Sequence, residues 1–145
     1  MIKINYSQPP PLIRKHDGRE EIFCIIRKRW FLITPEEWVR QNLLSHLVND
    51  LKFSASLIAV EKQLVLGELK KRFDIVVYKN AIDPFMIVEC KEMNVDLTHD
   101  VLQQVLRYNI PVRAPYIVIS NGSYCMAFEI ENGNVKELSK LPVIQ

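Results

Sequence analysis

The stretch Arg72–Lys91 restricts the fold more than any other part of the chain, because two apolar runs flank a polar turn. The first run is Arg72–Tyr78 and the second is Phe85–Lys91, and both are rich in β-branched and aromatic residues. The segment between them contains the step Asp83-Pro84, which is typical of turns. Runs of this composition on either side of a turn predict an antiparallel β-hairpin.

Charged residues stand at the open end of this hairpin. A register that is symmetric about the middle of the turn places Asp74 opposite Glu89, with Cβ atoms roughly 4.5–5.5 Å apart. Lys91 shares a face with Glu89, because side chains two residues apart on a strand point the same way. Facing acids repel each other and are costly to desolvate, so we predict a divalent cation between Asp74 and Glu89. The alternative is that both acids are solvated and that Lys91 simply pairs with Glu89.

A further acidic pair begins the helix that is predicted from Thr34 onward. Thr34 suits the N-cap, Pro35 suits the first helical position, and Glu37 would complete a capping box. Glu36 and Arg40 fall inside the apolar stripe of this helix, so Glu36 is either a site residue or the partner of Arg40 in an i,i+4 ion pair. The stripe itself consists of Val39, Leu43, Leu44, Leu47, Val48 and Leu51.

The other elements follow from apolar periodicity and turn residues. A strand is predicted at Leu57–Leu66, in which Glu61 is either a polar residue near the site or an edge position. A helix is predicted over 99–109, where Gln104 and Tyr108 lie four residues apart on one surface. The further predicted strands are two short ones around a basic turn in Glu21–Ile33, which we interpret as a packing ribbon without a site role, then Tyr116–Ser120, Tyr124–Ile130 and Val135–Leu138.

Length and composition indicate one soluble domain with an ordinary core, because the chain has 145 residues of which 25% are charged. The net charge of +2 is too small to indicate nucleic acid by itself, although Arg27–Arg29 and Lys70–Arg72 are triple-basic runs. The three cysteines and three histidines are scattered, which indicates neither a disulfide framework nor a zinc site. Without a secretory signal or a membrane-length apolar run, we expect a cytoplasmic location and no membrane contact.

The order of these motifs resembles the PD-(D/E)xK nuclease superfamily, and more narrowly the N-terminal nuclease domain of type I restriction enzyme R subunits. The resemblance implies an α/β (α+β) fold with a mixed central sheet flanked by helices, in the order helix, three strands, helix, strand. We expect an extended arm at residues 1–20 and a single nuclease-like domain at 21–145. The motifs that carry the resemblance are Thr34–Gln41, Arg72-Phe73-Asp74, Val88-Glu89-Cys90-Lys91, Gln104–Tyr108 and Ser120-Asn121-Gly122. Phe73 stands where the superfamily name has proline.

The resemblance also implies a site and a reaction. The reaction is hydrolysis of a DNA phosphodiester with Mg²⁺, for which Mn²⁺ can substitute. The implied metal ligands are Asp74, Glu89, the backbone carbonyl of Cys90, and Glu36 directly or through water. Lys91 would orient the attacking water or stabilise negative charge, and Gln104 and Tyr108 would support the site or contact DNA. The candidate phosphate contacts are Lys70, Lys71, Arg72 and Arg107.

DNA is the expected partner, together with a helicase or methyltransferase partner protein, and we also consider a homodimer. A different class of function stays open, namely a DNA-binding or assembly module that kept the nuclease fold with little activity. The chain could also be a metal-free structural protein, which would bind neither Mg²⁺ nor Mn²⁺. Intact Asp74, Glu89 and Lys91 argue against the module with an inactive site.

Overall fold

A computed structural model describes residues 1–7, 9–109 and 113–144, without the side chains of Leu66, Leu69, Tyr108 and Asn109. Its strands form a seven-stranded sheet and a separate three-stranded sheet, so the mixed α+β class is confirmed. The helices are α1 (Pro35–Ser45), which continues into a π-helical turn at His46–Asp50, and α2 (His99–Asn109). The strands are β1 (Ile2–Lys3), β2 (Ile13–His16), β3 (Arg19–Cys24), β4 (Arg29–Leu32), β5 (Ile58–Leu66), β6 (Leu69–Tyr78), β7 (Pro84–Cys90), β8 (Tyr116–Ser120), β9 (Tyr124–Glu131) and β10 (Asn134–Leu138).

The larger sheet has the strand order β1-β9-β8-β7-β6-β5, and β10 also pairs with β9. Only the pairing of β7 with β8 is parallel among the described strands, so the sheet is mixed. Val118 of β8 packs in the same core cluster as Val39 of α1, whereas its neighbour Ile117 packs in the cluster of Val105 from α2. Because successive strand residues point to opposite faces, α1 and α2 cover opposite faces of the sheet.

Helix α1 begins and packs largely as its sequence predicts. Thr34 is the N-cap, with its Oγ1 accepting the backbone N–H of Glu37 at 3.0 Å, and Pro35 stands in the first turn. The second half of the predicted capping box is wrong, because the Glu37 carboxylate accepts hydrogen bonds from two arginines and a glutamine instead. The predicted apolar stripe is confirmed; its fully buried members are Val39, Leu43, Leu44 and Leu47.

Strands β6 and β7 pair in the symmetric register that the turn predicts. Ile75 pairs with Val88 and Val77 pairs with Met86, and the register shifts only at Tyr78, next to the turn. Continued by one residue beyond Ile75↔Val88, this register brings the backbones of Asp74 and Glu89 level with each other. Both acids therefore lie at the same end of the sheet, beside the N-terminal half of α1.

The sheet is irregular at this end. Phe73 packs with Val76 in one core cluster, whereas Ile75 packs in the cluster of α1, so the regular alternation of side chains breaks at Asp74. On the neighbouring strand β5, Glu61 lies across from Asp74 between regularly paired residues and has a left-handed φ of 53°. A left-handed glutamate inside a strand is uncommon, and such conformations cluster at functional sites.

The N-terminal part of the chain contributes to both sheets. β1 is an edge strand paired with β9, and the short strands β2, β3 and β4 form the three-stranded sheet. β3 crosses residue 20, where the predicted arm ends, and Cys24 at its end packs against the core of α1. The two predicted short strands around the basic turn are confirmed as β3 and β4.

Two further properties concern the whole chain. Cys24, Cys90 and Cys125 are buried free thiols. In the described residues, neither α1 nor α2 nor any other helix has the length and apolar character needed to span a membrane.

Candidate active site

Carboxylates from α1, β5, β6 and β7 gather beside the irregular end of the sheet, together with cationic side chains. We call this group the acid cluster; it consists of Glu36, Glu37, Glu61, Asp74 and Glu89 with the cations Arg27, Arg40 and Lys91. The predicted residues Glu36, Asp74, Glu89 and Lys91 thus come together.

Arg40 lies at the centre of the acid cluster and is only 4% exposed. Its Nη1 donates to Glu37 Oε1 at 2.8 Å, and its Nη2 donates to Asp74 Oδ1 at 3.1 Å. The same Nη2 lies 3.5 Å from Glu61 Oε1 and 3.6 Å from Glu36 Oε1. Burial by itself lowers the pKa of Arg40, but the carboxylates of Glu37 and Asp74 raise it, so the guanidinium keeps its charge.

Asp74 is held through both of its oxygens. Oδ1 accepts the hydrogen bond from Arg40, and Oδ2 accepts the backbone N–H of Cys90 at 2.7 Å. The second bond links β6 to β7 at the level of the acids. The Cys90 side chain itself points into the apolar core and is 2% exposed, so Cys90 faces the acid cluster through its backbone.

Glu89 is the least satisfied acid of the cluster. Its Oε2 is buried and finds no hydrogen-bond partner in the described part of the chain. Burial, and then the nearby charge of Asp74, raise the pKa of Glu89 to about 7, although Lys71 and Lys91 act in the opposite direction. A buried carboxylate oxygen without a hydrogen-bond donor is unfavourable. Binding of a proton or a cation at Glu89 Oε2 would relieve this cost.

Glu36 is predicted either to be a site residue or to form an i,i+4 ion pair with Arg40, and the structure shows it in both surroundings. It forms the ion pair with Arg40, and its side chain is 52% exposed. Burial raises its pKa, and the nearby carboxylate of Asp74 raises it further. Lys91 lowers the same pKa, so the Lys91 ammonium acts on Glu36 as well as on Glu89. Glu36 is therefore both a partner of Arg40 and a neighbour of Asp74.

Arg27 is the residue that sequence reasoning missed. The sequence interpretation of its basic turn is a packing ribbon without a site role, but Arg27 Nη2 donates to Glu37 Oε2 at 2.9 Å and Nη1 lies 3.7 Å from Glu61 Oε2, so the turn contacts the acid cluster. Its guanidinium also stacks on Phe31, with Cζ 3.4 Å from the ring centroid. The available signal was a triple-basic run in a tight turn, which does not by itself indicate a contact with a helix further along the chain.

The predicted residues of α2 are not among the contacts described for the acid cluster. Gln104 and Arg107 are exposed, and α2 packs its apolar face on β8 and β9. The side chain of Tyr108 lies outside the described part of the chain. The roles of these three residues stay predictions.

The predicted phosphate contacts of β6 lie on the strand that leads into Asp74. Lys70 and Arg72 are exposed, whereas Lys71 is half-buried with its Nζ 6.0 Å from the centroid of the Phe73 ring. Lys71 also acts electrostatically on Glu89. The basic run Lys70–Arg72 therefore lies two to four residues before Asp74, a member of the acid cluster.

The donor set of the acid cluster fits a hard divalent cation in part. Asp74 and Glu89 offer carboxylate oxygens, the ligands that Mg²⁺ prefers, and the partnerless Oε2 of Glu89 is the oxygen best placed to take a cation. Against this, Asp74 Oδ1 is occupied by Arg40. Within residues 1–7, 9–109 and 113–144, no three His, Cys, Asp or Glu side chains are arranged to hold a metal. A cation at this place would thus need backbone or water oxygens in addition to the carboxylates of Asp74 and Glu89.

Comparison with protein families shows which family the chain is similar to. The model of the family described as type I restriction enzyme R protein N terminus (HSDR_N) matches residues 35–142, well over half of the chain. The matched range begins at α1 and includes the hairpin of β6 and β7, so Arg40, Asp74, Glu89 and Lys91 fall inside it and Arg27 falls outside it. No curated protein matches the sequence closely enough to count as a relative.

Proposed function

The chain belongs to the family of type I restriction enzyme R protein N-terminal domains, and on that premise we propose that it is a metal-dependent endonuclease domain of the PD-(D/E)xK superfamily. The reaction would be hydrolysis of a phosphodiester bond in DNA. The observation that carries this proposal is Glu89 Oε2, a buried oxygen without a hydrogen-bond partner in the described chain, beside the second carboxylate of Asp74. A protein rarely maintains such an unfavourable pair unless a ligand offsets it.

The residues that would hold Mg²⁺, or Mn²⁺ in its place, are Asp74, Glu89 and the backbone carbonyl of Cys90, with Glu36 adding a carboxylate directly or through water. When bound, the ion would neutralise charge on the scissile phosphate and lower the pKa of a water molecule. Glu36 suits this supporting role because it is half-exposed and already near Asp74.

Lys91 would act on the developing negative charge. This proposal is supported by the charge of Lys91, which lowers the pKa of both Glu36 and Glu89. In that position it can orient a water molecule toward phosphorus or stabilise the additional negative charge of the transition state. Gln104 and Tyr108 would support the site or contact DNA from α2.

DNA would be bound mainly through its phosphates. The candidate contacts are Lys70, Lys71, Arg72 and Arg107, which would make the affinity fall as the salt concentration rises. We propose a restriction system as the setting, with a helicase or methyltransferase as partner protein and with a homodimer as a further possibility.

A second candidate function has its own supporting observation. Both oxygens of Asp74 are already bound to protein donors, Arg40 Nη2 and the Cys90 N–H. A site in that state is compatible with a DNA-binding or assembly module that keeps the nuclease fold without cleaving DNA. The two candidates differ in whether DNA is cut when a divalent ion is supplied.

Nicking of supercoiled plasmid DNA with Mn²⁺ separates them. We expect the wild-type chain to nick the plasmid, and Asp74→Asn and Lys91→Ala to lose about 10²–10³-fold in rate, because each removes charge that acts on the transition state. Lys136→Ala, on the exposed strand β10, is the matched control for Lys91→Ala and should cut normally.

Three other outcomes would have clear meanings. Equal cutting by all four proteins would point to a contaminating nuclease and contradict the proposal. DNA binding without cutting, unchanged in Asp74→Asn, would favour the module. Absence of both binding and cutting would contradict the nuclease and the DNA-binding module, and would leave the assembly module.

A further inference from the structure

We propose that Arg40 is a positioning residue that sets the affinity of the acid cluster for divalent cations, because its guanidinium holds the Asp74 oxygen that such a cation needs. This inference rests on the proposed function, in that Asp74 and Glu89 are taken as the cation ligands. It goes beyond that function in assigning a competing internal cation to the site.

The guanidinium of Arg40 has one firmly held side. Nη1 donates to Glu37 Oε1 at 2.8 Å, and Glu37 is itself fixed by Arg27 at 2.9 Å and by Gln41 Nε2 at 2.8 Å. Glu37 is 8% exposed and Gln41 is 2% exposed, so this side of the network is embedded in the protein. The Arg40 guanidinium is therefore held by Glu37 independently of its contact with Asp74.

The other side of the guanidinium is shared among several acceptors. Nη2 lies 3.1 Å from Asp74 Oδ1, 3.5 Å from Glu61 Oε1 and 3.6 Å from Glu36 Oε1. Only the first of these three distances is that of a hydrogen bond. A small displacement of Nη2 would thus exchange Asp74 for Glu61 or Glu36 while the contact with Glu37 is kept.

A divalent cation and Arg40 compete for the same atom. Asp74 Oδ2 accepts the Cys90 N–H at 2.7 Å and Oδ1 accepts Arg40 Nη2 at 3.1 Å, so a cation that binds this carboxylate lies within a few ångströms of the guanidinium. Two positive groups a few ångströms apart repel strongly where burial weakens the screening by water. Binding of the cation at Asp74 is therefore opposed by the charge of Arg40 and favours movement of Nη2 away from Oδ1, which lowers the affinity of the site.

Glu61 is the acceptor best suited to receive the displaced guanidinium. Its carboxylate is 43% exposed and already lies between Arg40 and Arg27. Its left-handed backbone, with φ 53°, departs from the regular strand at the level of Asp74. A purely structural ion pair between α1 and β6 would need no such second acceptor.

Titration of Mn²⁺ into the metal-free full chain, followed by calorimetry, tests this inference without any measurement of activity. We expect Arg40→Met to bind Mn²⁺ at least about tenfold more tightly than wild type, because a competing charge on Asp74 is removed. The matched control is Arg29→Met, which takes an equal charge from an exposed position outside the acid cluster; its dissociation constant should stay within about threefold of wild type. Circular dichroism confirms that each variant is folded.

Arg40→Lys keeps the test decisive if Arg40→Met does not fold. A lysine cannot bridge Glu37 and Asp74 at once, so we expect Mn²⁺ binding at least about threefold tighter than wild type. Equal or weaker binding by the folded Arg40 variants would overturn this inference and leave the proposed function intact. Tightening of the same size in Arg29→Met would also overturn it, since the effect would then be one of net charge. Absence of Mn²⁺ binding in wild type and all variants would overturn both proposals.

Discussion

At the scale of single residues, Glu89 makes the stability of the fold depend on pH. Its pKa is raised to about 7 by burial and by Asp74, from an ordinary value of 4.5. Between those two values the folded chain holds a proton that the unfolded chain has lost, so stability without divalent cations falls as the pH rises from about 4.5 to about 7. Above pH 7 the whole penalty is present, and it amounts to at most about 3 kcal/mol.

Glu89→Gln removes this penalty, since the amide is neutral at every pH. In the presence of a chelator at pH 8 we expect the variant to be more stable than wild type by about 1–3 kcal/mol, and at pH 5 the gain should shrink below about 1 kcal/mol. Urea denaturation at the two pH values measures it. Glu68→Gln, in the exposed turn between β5 and β6, is the control and should show no such dependence. A gain of the same size at both pH values would contradict the assignment of the buried proton to Glu89.

Arg40 illustrates how far sequence reasoning reaches for a single residue. Its position inside the apolar stripe of α1 indicates a buried charge, and Glu36 four residues earlier is a partner that helical spacing identifies. Asp74 and Glu61 are also partners, but they lie on β6 and β5, and no local pattern in α1 indicates which strands it will meet. Long-range pairing of this kind depends on the packing of the complete sheet.

At the scale of elements, the turn after β8 fixes the position of α1. Asn121 is 7% exposed, and its Oδ1 accepts the backbone N–H groups of Ser123 and Tyr124, which closes the turn. Gly122 in this turn has φ 91°, and a Cβ there would meet Val39 Cγ2 of α1 at 3.2 Å. The motif Ser120-Asn121-Gly122 thus sets the distance between this edge of the sheet and the helix that carries Arg40.

Two glycine substitutions measure that contact. Gly122→Ala and Gly133→Ala both place a side chain on a left-handed backbone, but Gly133, at φ 80°, has no atom within 4 Å of the added Cβ. We expect Gly133→Ala to cost about 1 kcal/mol and Gly122→Ala about 2–3 kcal/mol of unfolding free energy, because only the latter also presses on Val39. Chemical denaturation of both variants gives the difference. Equal losses would show that the turn does not press on α1.

The hairpin of β6 and β7 could be predicted with its register, because a symmetric turn and two β-branched runs leave few alternatives. The break in alternation at Asp74 could not, since Phe73 and Ile75 are both apolar and fit either face. The left-handed conformation of Glu61 could not be predicted from the sequence either. Its residue type does not favour that conformation, which must be stabilised by the surrounding tertiary structure.

At the scale of the whole molecule, the order of elements from α1 onward could be read from the sequence, because each segment carries its own periodicity and turn residues. The division into two sheets could not, since local pattern does not indicate which sheet a short strand joins. This matters for the site. The small sheet of β2, β3 and β4 lies outside residues 35–142 of the family match, yet the turn between β3 and β4 contributes Arg27 to the acid cluster.

The most direct test of the proposed site is an anomalous difference map from crystals of the full chain grown with Mn²⁺. We expect a peak bound by carboxylate oxygens of Asp74 and Glu89, with Arg40 Nη2 no longer on Asp74 Oδ1. A map without a peak in the acid cluster, with Arg40 still bound to Asp74 and Glu89 Oε2 still unpartnered, would contradict the assignment of this cluster as a catalytic metal site.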